Sequence, residues 1–62
     1  MQISRELFEA YEAVRESGIT NMFDVNMVIK LANKIMGTHI TREEIVEIMH
    51  NYTELRKKYL ND

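Results

Sequence analysis

Glu47 and His50 stand three residues apart in Glu47-Ile-Met-His50. That spacing sets a carboxylate and an imidazole on one side of a helix, as in the carboxylate-bridged di-iron bundles. Such a centre needs a second Glu-x-x-His pair and two more inward glutamates. The chain has only one other histidine, His39, and no carboxylate precedes it at that spacing. Glu47 and His50 also fall on the polar side of the local helical period, where side chains are solvated. Ser4, Ser17 and the threonines lack a histidine–acid set to activate a hydroxyl. There is no cysteine, which removes thiolate nucleophiles, thiolate metal sites and disulfides together. No glycine-rich phosphate loop is present. The sequence therefore predicts no catalysis, no metal and no cofactor.

Recognition is the chemistry that remains. Arg56 falls between Tyr52 and Tyr59 on one side of a helical period, and arginine beside tyrosine is the composition of an interface hot spot. Met22, Met27 and Leu31 add apolar residues where a connection or a helix flank should be polar, and methionine adapts easily to a partner surface. These six residues are the expected interface. Leu31 to Met49 has the outline of a helix-turn-helix, whose second helix would read DNA with its first turn. That turn carries Arg42, Glu43 and Glu44, with Glu47 following, and acids there repel phosphate.

The elements that must position these residues follow from their punctuation. A first helix is expected over about 5–17, with Ser4 as N-cap and Gly18 as its left-handed end. Leu7, Ala10, Tyr11 and Val14 form its apolar stripe, Glu9, Glu12 and Glu16 lie opposite, and Ile19 can fold back on Val14. A second is expected over about 25–36, capped by Asp24 and stopped by Gly37. A third is expected over about 42–60, opened by a capping box of Thr41 and Glu44. Hydrophobic staples pair Ile3 with Phe8, Phe23 with Val28 and Ile40 with Ile45. The fold class is all-α, a small three-helix bundle in one domain.

The second helix decides the functional expectation. Val25, Val28, Ile29, Ala32, Ile35 and Met36 form one face, and Met27 and Leu31 widen it to roughly 200° of arc. So wide a face calls for two neighbours, or for one neighbour and another chain. With 62 residues, an isolated chain buries only about 60% of the surface it exposes unfolded, and chains this small commonly rely on a partner. A homo-oligomer is expected.

Composition fits a folded, water-facing protein, with 45% apolar and 29% charged residues and a net charge of −2. The charge is uneven. Residues 1–24 hold five acids against two bases, and residues 25–62 hold five acids against six bases. Neither half has the basic excess of a nucleic-acid binder, so nucleic acid is not an expected partner. No apolar run reaches membrane-spanning length and the first residues form no signal peptide, so no membrane partner and a cytoplasmic location are expected.

The stretch Val14-Arg-Glu-Ser-Gly-Ile-Thr-Asn-Met-Phe-Asp24 resembles the V-R-x-S/T-G-x-T-N-M-F-D signature of a family of very short, uncharacterised phage and prophage proteins. The resemblance covers this block closely and the second helix loosely. Members of that family usually continue with glycine and an aromatic, whereas here Gly37-Thr-His-Ile follows. The resemblance implies a phage origin, the cytoplasm of a host cell and a helical architecture for residues 1–36. It transfers no active-site residue beyond the block itself. By analogy with other tiny phage proteins it implies stoichiometric binding of a host protein, for instance an inhibitor of a host defence system. Two alternatives stay open. One is a sponge for a small molecule such as a nucleotide second messenger, held near Thr20, Asn21 and His39. The other is a helix-turn-helix-like DNA-binding regulator. Thr20 and Asn21 can equally serve only to cap the turn before the second helix.

Overall fold

Ser4 adopts an extended backbone and its hydroxyl accepts the Leu7 amide at 3.3 Å, which opens α1 (Arg5–Ser17). Gly18 closes it at φ 64°, a left-handed conformation that a Cβ would strain. The Ser17 hydroxyl donates to the Val14 carbonyl at 2.6 Å and accepts the Ile19 amide at 3.3 Å. Ile19 does not fold back on Val14. It is 65% exposed, because the chain leaves α1 through a serine-held turn rather than through an apolar clasp.

Asn21 organises the next turn. Its side-chain oxygen accepts the Phe23 amide at 2.9 Å, and its carbonyl accepts the Asp24 amide at 2.9 Å. Asp24 then caps α2 (Val25–Met36) by accepting the Met27 amide at 3.3 Å. The Phe23–Val28 staple is absent, since Phe23 is 83% exposed while Val28 is fully buried. The Asn21 turn fixes the Phe23 backbone, and its ring stays in solvent. Gly37 ends α2 at φ 67°.

Thr41 and Glu44 satisfy each other's amides at 3.2 and 2.9 Å and open α3 (Arg42–His50). The expected third helix over 42–60 is two helices. Asn51 interrupts it, and α4 (Tyr52–Leu60) follows. The Asn51 side-chain amide donates to the Glu47 carbonyl at 3.2 Å and to the Glu47 carboxylate at 2.8 Å. The Asn51 backbone amide still donates to the Glu47 carbonyl at 3.1 Å, so that carbonyl is shared with the side chain, and Asn51 itself leaves helical geometry at φ −115°, ψ 26°.

The structure, a computed structural model, describes residues 2–21 and 23–60, with four helices and no strand among them. Met22 lies outside the described residues. The core joins all three sequence regions, with Phe8, Val14, Val28, Ile45 and Ile48 fully buried at its centre. Ile3 and Ile40 close it at two corners. The bend at Asn51 brings α4 back over α1. Tyr52 meets Phe8 at 5.8 Å and Tyr11 at 6.1 Å between ring centroids, and Tyr59 meets Phe8 at 6.0 Å. The Tyr59 hydroxyl donates to the Ile3 carbonyl, pinning the N-terminal segment under α4.

Candidate functional site

Glu12 belongs to the interior and not to a solvated acidic face. It is buried, and its carboxylate takes the Arg15 guanidinium at 3.0 and 3.5 Å. Arg56 Nη1 of α4 lies 3.9 Å from the same carboxylate and donates to the Tyr52 hydroxyl at 3.1 Å. The Arg15 guanidinium also sits 5.3 Å from the Tyr52 ring centroid, within cation–π range. Burial pushes the Glu12 carboxyl up. The hydrogen bonds from Arg15 and Tyr52 and the charges of Arg15 and Arg56 outweigh it, and the group ends below its ordinary value. Tyr11 moves up, first through burial and then through Tyr52. Tyr52, Arg56 and Tyr59 are thus brought together, half-buried, on the side of α4 that holds α1 and the N-terminal segment.

Asn33 has a role that its polar character alone does not reveal. Its side-chain oxygen accepts the Ile40 amide at 2.8 Å and the Thr38 hydroxyl at 3.0 Å. Its amide donates to the Ile40 carbonyl at 3.4 Å. One side chain thereby fixes the connection from Gly37 to Thr41. On the same side of α2, Asn26 accepts a hydrogen bond from Arg42 at 3.2 Å. The first turn of α3 is therefore tied back to α2, and Glu44 is occupied in the cap. His39 is exposed in the connection, and Glu47 is engaged by Asn51 rather than by His50. Among the described residues no group of three or more His, Cys, Asp or Glu side chains could hold a metal ion.

The wide apolar face of α2 is only partly covered. Val28 and Ala32 are fully buried, and Val25 and Ile29 pack against the core. Met27 and Ile35 stay 40% and 46% exposed, and Leu31 between them is half-buried. At about 100° per residue, these three stack one above another on the flank turned away from Asn26 and Asn33. Phe23 continues the same four-residue spacing beyond the helix start. Lys30 and Lys34 border the row, both exposed. The expected excess of apolar surface on α2 is real. Its exposed members are Met27, Ile35 and Met36, with Leu31 half-buried between the first two and Phe23 exposed in the turn before the helix.

No helix among the described residues is long and apolar enough to cross a membrane. Residues 4–62 match a family described as a domain of unknown function (DUF5049), and the chain belongs to that family. No curated protein matches the chain, and neither does any solved structure.

Proposed function

We propose that this protein is a non-catalytic accessory protein that acts by binding another protein, with the apolar row of α2 as its contact surface. The observation behind this reading is the state of Phe23, Met27 and Ile35. They are large apolar side chains left in water, Phe23 in the turn before α2 and Met27 and Ile35 on a helix capped at both ends. Contiguous exposed apolar surface on a small protein marks an interaction site more often than scattered exposure does. Methionine in such a row suits an adaptable contact. The buried Glu12 supports the same division of labour, since its charge is taken up by Arg15 of its own helix and by Arg56 of α4. The resemblance of the Val14–Asp24 block to short phage proteins gives this reading its specific form. That form is a phage protein in the host cytoplasm, binding one host defence component stoichiometrically.

Affinity capture from host lysate tests it. The unchanged chain and Val46→Glu, which alters an exposed residue of α3, should retain the same host protein. Met27→Glu combined with Ile35→Glu should lose it. Retention of that protein by the double variant overturns the assignment of the row.

A further inference from the structure

The apolar period of the chain does not break where the helix does. On one straight helix Ile45, Ile48, Met49, Tyr52, Leu55 and Tyr59 share about 120° of arc, although Asn51 divides them between α3 and α4. The division is slight. Backbone hydrogen bonds of helical spacing run through it, from the Asn51 amide to the Glu47 carbonyl at 3.1 Å and from the Leu55 amide to the Asn51 carbonyl at 2.9 Å. Asn51 itself, at φ −115°, ψ 26°, is neither extended nor left-handed. No glycine or proline follows Gly37, so the covalent chain permits a straight helix here. From these observations we infer that Asn51 is a hinge at which α3 and α4 join into one helix, and that two copies of the chain then exchange their α4 segments.

The straightened form needs a second copy. A helix over 42–60 is about 28 Å long, beyond the 25 Å of the folded chain's longest dimension, so α4 stands clear of α1. That uncovers Phe8, which is fully buried in the bent form. It also releases the Tyr11 ring, the Glu12 carboxylate and the Ile3 carbonyl that α4 engages. The complement of that surface is α4 itself, with Tyr52, Arg56 and Tyr59 in order along it. A second copy supplies this complement with contacts the single chain already makes. α4 suits such a transfer because none of its residues is buried. The inference does not rest on the α2 row, which belongs neither to α4 nor to its site on α1. Asn51 favours the bent form, because asparagine is a poorer helix former than alanine by about threefold per chain, and so about tenfold for a pair.

Asn51→Ala tests the hinge, with Asn51→Gln as a second helix-forming replacement. Each variant is refolded from urea at several hundred micromolar and then diluted to low micromolar. On size exclusion the variants should run as two chains and the unchanged chain as one. The two-chain species should persist after dilution, because α4 must leave α1 before it reverts. Its tyrosine near-ultraviolet circular dichroism should match that of the unchanged chain, since the same rings meet. Adding Met27→Glu and Ile35→Glu should leave it intact. A folded single chain for both Asn51 variants overturns the hinge, and so does failure of both to fold. A two-chain species that lacks the tyrosine signal, or that Met27→Glu with Ile35→Glu abolishes, overturns the exchange of α4.

Discussion

The Arg56 guanidinium of α4 lies 3.9 Å from the Glu12 carboxylate of α1, across a helix pair whose aromatic rings already interlock. This ion pair and the Arg15–Glu12 pair make a buried acid the electrostatic link between the two ends of the chain. Removing an acceptor so placed leaves two guanidinium groups competing for water at the edge of a core. Glu12→Ala should lower the free energy of unfolding by about 2 kcal/mol, the usual scale for a buried charged hydrogen-bonding group. Urea denaturation followed by circular dichroism measures it. Glu16→Ala, at an exposed position of α1, should change stability by less than about 0.5 kcal/mol.

The same group contributes to stability on the acid side. Its carboxyl is held below its ordinary 4.5 in the folded chain. The folded state therefore binds fewer protons, and its contribution is complete above pH 4.5 and falls away as pH drops through the depressed value. Tyr11 acts at the other end. Its pKa is raised above 10.0, so its contribution is complete below pH 10.0 and is lost as pH climbs toward the folded value. Thermal unfolding against pH should show a plateau between these limits. In Glu12→Gln the acid-side slope should be shallower, and in Tyr11→Phe the alkaline slope.

The two phenylalanines should behave as opposites. Phe8 is fully buried against Tyr52 and Tyr59, whereas Phe23 is 83% exposed. Phe8→Ala should cost about 3–5 kcal/mol, a large part of the roughly 3–9 kcal/mol available to a chain of this length. Phe23→Ser should leave the melting temperature nearly unchanged. Equal losses in the two variants would show that Phe23 packs in the folded protein.

Much of the architecture is legible in the residues themselves. Ser4, Asp24 and the Thr41–Glu44 box each declare a helix start, because they can satisfy amides that a helix leaves open. Gly18 and Gly37 declare the ends through left-handed backbone. The departures arise where a short polar side chain competes with the backbone. Asn51 divides the final helix at a non-helical backbone while its side chain shares Glu47's carbonyl, and Asn21 fixes a turn that leaves Phe23 in water. Glu12 is the other case. Its period puts it beside Glu9 and Glu16, but arginines from α1 and α4 supply the compensation that lets it be buried. Arg56 lies far from Glu12 in sequence, so no local pattern announces that pairing.

Asn33 offers a separate test of such long-range roles. Asn33→Ala removes the acceptor for the Ile40 amide and the Thr38 hydroxyl at once. The expected cost is about 2 kcal/mol, since the Thr38 side chain is buried and would lose a partner. Hydrogen exchange should show the Ile40 amide losing protection ahead of the helix interiors.

Sedimentation equilibrium over a wide concentration range tests the α2 row most directly. The unchanged protein should rise from the mass of one chain toward that of two, and Met27→Glu with Ile35→Glu should remain a folded single chain throughout. A single-chain mass for the unchanged protein at several hundred micromolar, or equal association by both, would contradict self-association through this face.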